Sequence, residues 1–203
     1  MRKEICMEAI RLCVMLVENA ATNKPQVNAL LALMCFHASR FDARTDPSGE
    51  LVLYGEQDTT RWNAVLIAKG GYFLQCAAAG DRLSRYHLEA GIAYWHTRKE
   101  DSREKWQSIL DFYDQLLKLH YSPVVALNRL FALSKVKGKK AAIREMEALP
   151  PEGNHFYFAL MGELYDGVDQ RKAVEGLQKA LQLARTAADQ QTIRKRLTAL
   201  QQP

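Results

Sequence analysis

Apolar residues recur every three or four positions along almost the whole chain, a spacing that puts them on one face of a helix. Ile5, Met7, Ile10, Cys13, Val14 and Val17 give a first helix over about 3–20. Pro25 can open a second, since the N–H it lacks has no partner in a first turn. Val27, Leu30, Leu31, Met34 and Cys35 carry that helix to about Arg40. The period then fails once, over Phe41–Trp62 (FDARTDPSGELVLYGEQDTTRW). Asp46-Pro47-Ser48-Gly49 reads as a turn, because Pro fixes φ and Gly accepts positive φ. Leu51-Val52-Leu53-Tyr54 reads as a short extended piece. A loop this long between helices calls for a reason, and loops carry function more often than frameworks do.

The helical period resumes with a long helix predicted from about Asp58 to Ala79, broken at Gly80-Asp81. Leu88, Ile92 and Trp95 mark another from about Ser84 to Thr97. Asp101 and Glu104 have capping-box spacing for a helix running to about Leu119. Ser122-Pro123 then signals a helix start, and Gly138 its end. The last third is repetitive. Val124–Lys135 and Ala141–Leu149 form one helix pair, Asn154–Tyr165 and Arg171–Ala184 a second. The second pair resembles a tetratricopeptide repeat: Tyr157, Leu160 and Leu164 are large, while Ala173, Leu177 and Ala180 run small–large–small. Gly162 stands one position off the expected small residue. Ile193, Leu197 and Leu200 give a closing helix with one apolar stripe and a charged outside.

The expected fold is therefore all-α: antiparallel helix pairs stacked as a tetratricopeptide-like, right-handed array, with one irregular segment at about 42–57. The chain of 203 residues is expected to form a single helical-repeat domain, with a first half over 1–100 and the helix pairs over 101–203.

Composition narrows the function classes. The net charge of +5 is modest, and its basic residues are dispersed. Lys135, Lys137, Lys139 and Lys140 around a turn, and Arg194, Lys195 and Arg196 on the last helix, read as solvated faces. No basic recognition helix is present, so specific DNA binding by this chain is not expected. Ala29–Phe36, the longest apolar run, is far short of the ~20 residues a membrane span needs. The opening MRKEICMEAIRL has charges inside its apolar pattern and reads as no leader. Cys6, Cys13, Cys35 and Cys76 follow helix faces rather than ligand spacing, as reduced thiols of a cytoplasmic protein would.

No phosphate loop, HExxH, GxSxG or zinc spacing is present, so neither cofactor nor metal is expected. His87 and His96 are nine residues apart, not one turn apart as ligands on one helix face would be. His37, on the helix with Arg40, reads either as a half-buried helical histidine or as a group that orients a loop carboxylate. Gln57-Asp58-Thr59-Thr60-Arg61-Trp62 reads either as a helix start, with Asp58 its N-cap, Arg61 solvated and Trp62 packed inward, or as a contact surface.

The chain resembles the C-terminal, tetratricopeptide-like extension of a group of extracytoplasmic-function RNA polymerase sigma factors. The residues that carry the resemblance are EAIRL (8–12), NALLALMCFHASR (28–40), Ala43-Arg44 with Thr45-Asp46, ELVLYGEQDTTRW (50–62), YHLEA (86–90) and SPVVALNR (122–129). HASRFDAR and AYWHTRKEDSREKW are similar to members from the Bacteroidetes. In that family an aliphatic run leads into an acidic residue, Gln and Asp, with Arg and Trp following. Those positions are Glu56, Gln57, Asp58, Arg61 and Trp62 here, with His37, Arg40 and Arg44 in support. Gly55 departs from the family's acidic or large residue, which implies a more flexible loop.

The resemblance implies a regulatory domain without the sigma DNA-binding domains, acting through protein–protein contacts in transcription initiation. The implied partners are the sigma N-terminal domains, RNA polymerase or a signalling protein. A stand-alone peptide-binding adaptor is the second reading. An enzyme with Asp58 or His37 as acid or base is the third, and no pocket in the sequence favours it.

Overall fold

A computed structural model describes residues 3–46, 51–151 and 153–201. The protein is all-α and repeat-like, with ten α-helices among the described residues and one isolated bridge, Thr45 to Leu51, in place of any strand. The chain divides into two compact units, Met1–Asp101 and Ser102–Pro203.

In the first unit α1 (Lys3–Glu18), α3 (Ala64–Ala77) and α4 (Arg85–Trp95) all pack on α2 (Pro25–Ala38). The composition of α2 explains its place. It is apolar on every side, with Ala29, Leu31, Ala32, Cys35 and Phe36 buried, and such a helix must be surrounded. On one side Ile10 and Cys13 of α1 close over Leu31 and Cys35. On the other Phe36 and Ala32 meet Ala90 and Ala93 of α4. Gly70 lets α3 approach closely, because a Cβ there would lie 2.5 Å from the Phe36 ring. His87 is architectural. Its Nδ1 accepts from the Ser84 amide at 3.1 Å, and its Nε2 reaches the Ala77 carbonyl at 3.2 Å, joining the ends of α3 and α4.

The second unit runs α5 (Arg103–Leu119), α6 (Pro123–Lys137), α7 (Lys139–Glu147), α8 (His155–Tyr165), α9 (Gln170–Leu183) and α10 (Ala187–Gln201). Successive helices pack on one another from α5 to α10, and α6 also touches α8. Arg129 of α6 ties three helices together by bonding Asp114 of α5 and Glu145 of α7. Ala173, Leu177 and Ala180 are buried on α9 against α8, as the small–large–small pattern requires. The closest approach uses two glycines. A Cβ on Gly176 would lie 2.9 Å from the Gly162 nitrogen, and one on Gly162 would lie 2.6 Å from Leu177. Ile193, Leu197 and Leu200 of α10 close over Leu177 and Ala180.

Several expected boundaries move. The helix predicted from Asp58 begins instead at Ala64, because the Trp62 backbone is extended (ψ 135°) and Asn63 caps α3 through Leu66 N. Asp58 caps only a single 3-10 turn, Thr59–Arg61. The cap of α5 is Ser102, whose Oγ accepts from Lys105 N, and not Asp101. Ser122 makes no side-chain cap, so Pro123 alone marks the start of α6. The extended piece shrinks to Leu51–Leu53, since Tyr54–Glu56 coils into a 3-10 turn. The turn predicted at Asp46–Gly49 lies largely outside the described residues.

Candidate functional site

The irregular segment leaves α2 at Ser39 and returns to it at Asn63. Its two ends are joined by the Asn63 N–H donating to the Ser39 carbonyl at 2.8 Å. Ser39 is buried, and its hydroxyl donates back to Phe36 O at 2.8 Å, so the exit from the helix is fixed. A 3-10 turn at Phe41–Ala43 follows, and Val52 N then donates to Arg44 O at 2.9 Å. The segment is thus a closed, compact loop whose ends meet, a form that often carries function.

The segment just after α4 stitches this loop down. Lys99 Nζ donates to two of its carbonyls, Tyr54 O at 3.1 Å and Gln57 O at 2.7 Å. Tyr54 Oη donates to Arg98 O at 2.9 Å. The Tyr54 ring stacks beside Trp62, centroids 6.3 Å apart, and meets His96 edge-on at 5.1 Å. Under these rings lies Arg40, its Cζ 5.3 Å from the Tyr54 centroid and 5.9 Å from that of Trp62.

The residues singled out in the sequence separate into two sets. Glu56, Asp58 and Arg61 are exposed. The Thr60 hydroxyl, donating at 2.7 Å, and the Thr60 amide hold the Asp58 carboxyl below its usual range. Arg61 Nη1 donates to Thr45 O at 3.3 Å, bridging the two limbs of the loop. Gln57 and Arg40 belong to the interior, only 7% and 8% exposed. Gln57 Nε2 donates weakly, at 3.4 Å, to Val52 O. Gln57 therefore departs from its expected place on a contact surface. Trp62 and Arg44 are half-buried.

His37 Nδ1 lies 3.3 Å from Arg44 Nη2. The protein around the ring, then the Arg44 and Arg40 charges, push its pKa well below the ordinary imidazole value. His37 is exposed rather than half-buried as expected, so solvent screening limits this effect, and the ring is neutral at neutral pH. Burial, and the charge of Arg44, likewise pull Arg40 below its usual range. Sequence reasoning missed Tyr54, His96, Arg98 and Lys99. The basic run after α4 was the available sign, since cations past a helix end seek carbonyls; here the carbonyls belong to the loop.

Among the described residues no group of three or more His, Cys, Asp or Glu side chains could hold a metal ion. No helix there is long and apolar enough to cross a membrane. In the second unit a groove of about 380 Å³ runs between α6, α8 and α10, lined in part by Val124, Leu127, Phe131, Phe156, Leu160 and Arg196.

Residues 1–78 match a family described as of unknown function, DUF6596. An uncharacterized protein of Rhizobium meliloti (strain 1021) is 33% identical over 201 residues, covering 97% of this chain and 47% of the relative. The chain thus spans about half the length of the curated relative it matches. No solved structure matches the chain.

Proposed function

We propose that this chain is a regulatory region of an RNA polymerase sigma factor, acting in the cytoplasm by protein–protein contacts that control transcription initiation. The observation that carries the reading is the agreement between Glu56, Gln57, Asp58, Arg61 and Trp62 and the sigma-factor extension pattern. A second feature supports it: the segment bearing that pattern is a closed loop tied to the end of α2 and to the residues after α4, and it presents Glu56, Asp58 and Arg61 outward. The extra length of the relative leaves room for a promoter-reading part that this chain would control. In this account the region performs no catalytic step, uses no cofactor and does not itself read DNA. Run-off transcription by the longer relative, with and without the part aligned here, tests the proposal. A change in initiation of about tenfold or more, worth ~1.4 kcal/mol, is expected. Equal initiation by both forms would set the sigma reading aside.

A second reading, a peptide-binding adaptor, is favoured by the groove between α6, α8 and α10, where Phe156 and Val124 are 49% and 44% exposed. Capture of apolar peptides by the isolated chain, with no effect on transcription, would favour it over the first.

A further inference from the structure

The first unit buries a cation without an anion. Among the described residues the Arg40 side chain makes no hydrogen bond and no ion pair, and its Nε is a buried donor with nothing to donate to. The indole Nε1 of Trp62, whose ring lies 5.9 Å from the guanidinium carbon, is a second such donor. Gln57 Oε1, in the same loop, is a buried acceptor with no partner. Native interiors pair nearly all such groups, so three in one loop need an explanation. The ring contacts with Tyr54 and Trp62 return only part of what desolvating a guanidinium costs.

A carboxylate is the group that fits the two donors, Arg40 Nε and Trp62 Nε1, while Gln57 Oε1 stays outside its reach as a second acceptor. It is planar, accepts at two oxygens and matches the guanidinium edge. One oxygen can take the Arg40 donor while the other takes the indole N–H. Arg44, Arg61, Arg98 and Lys99 lie in or beside the loop, together with the carboxylates of Glu56, Asp58 and Asp101. The same loop exposes apolar side chains, Leu51 at 50% and Leu53 at 39%, which suits a protein surface better than a small, fully hydrated anion. The Tyr54 ring faces the guanidinium, its centroid 5.3 Å from Arg40 Cζ. The Tyr54–Glu56 turn is held by Lys99, which bonds the Tyr54 carbonyl and that of the following Gln57, and by the Tyr54–Arg98 bond.

From this geometry we infer that Arg40 and Trp62 form a receptor for one carboxylate, an Asp or Glu side chain of a protein partner, reached when the Tyr54–Glu56 turn lifts. The inference rests on the proposed regulatory contact for its biological setting and adds to it the chemistry that the partner must present. The site itself can be tested without reference to transcription, so the two can fail separately.

The experiment is a titration of the ¹⁵N-labelled full chain with sodium acetate, against sodium chloride at matched ionic strength. The Arg40 Nε–H and Trp62 Nε1–H resonances are followed by NMR. Both should shift together and saturably with acetate and not with chloride, while the Trp95 and Trp106 indoles stay in place. Acetylglutamate methylamide should act like acetate or bind more tightly. Arg40→Met should abolish the Trp62 response; Trp62→Phe, which keeps a ring, should weaken binding about five- to tenfold by removing one charged-acceptor hydrogen bond. If Arg40→Met does not fold, Trp62→Phe followed at Arg40 Nε decides. Equal shifts with chloride, or no saturable acetate response, would overturn the site. Citrate binding more than about 100-fold tighter than acetate, a difference of ~2.7 kcal/mol, would overturn the protein side chain as occupant in favour of a free polycarboxylate.

Discussion

Gln57 is buried, and its Nε2 makes one weak bond inside the loop, to Val52 O at 3.4 Å. Gln57→Ala removes the Val52 contact and opens a small void. It should cost about 1–2 kcal/mol, read as a lower denaturation midpoint at unchanged slope. An unchanged midpoint would mean that the side chain lies outside. His37 gives a prediction with a sign. Its pKa is 6.5 in an ordinary setting and lower in the folded chain, where the protein around the exposed ring and the Arg44 and Arg40 charges disfavour the imidazolium. The unfolded chain takes up the proton first, so this group's contribution is complete above about pH 6.5 and is lost as the pH falls below it. The melting temperature of wild type should therefore fall faster between pH 7 and pH 5 than that of His37→Gln. Parallel curves would remove His37 from the account. The sequence showed both residues and the loop they belong to. It could not show that Gln57 faces inward, because a polar residue in an aperiodic segment carries no face.

At the scale of elements, the start of α3 separates two possible caps. Asn63→Ala should cost about 1 kcal/mol and reduce helix content, since Asn63 Oδ1 holds Leu66 N at 3.0 Å. Asp58→Ala should disturb only the Thr59–Arg61 turn. Circular dichroism and thermal melts of the two variants check this, and the reverse order would restore a helix beginning at Asp58. The sequence misread this start because Asp58 and Asn63 are both good caps, and only the extended Trp62 backbone between them decides. The α8–α9 contact gives a second test. In Gly176→Ala the new methyl meets backbone, Gly162 N at 2.9 Å and Phe158 O at 3.0 Å, which cannot move aside. Destabilisation of about 1–3 kcal/mol is expected despite the better helix propensity of alanine. The helices themselves were legible from period alone, and Ala173, Leu177 and Ala180 were found by pattern. Gly176 was not, because it lies outside that pattern and its role exists only where two backbones meet.

At the scale of the whole molecule, the all-α, repeat-like architecture followed from apolar spacing, and the one break in that spacing marked the candidate site. The cations that complete the site were hidden by distance. Lys99 lies 42 residues from the Gln57 carbonyl it bonds, and no local pattern joins them. The central claim is that this chain works by contact with the transcription machinery. The most direct test immobilises the purified chain and measures binding of bacterial RNA polymerase core enzyme and, separately, of the part of the Rhizobium meliloti relative outside the matched residues. Saturable binding of at least one at a Kd of about 10 μM or tighter is expected, weakened about tenfold or more by the exposed change Arg61→Glu. No binding of either up to about 1 mM, or equal binding by Arg61→Glu, would contradict the claim.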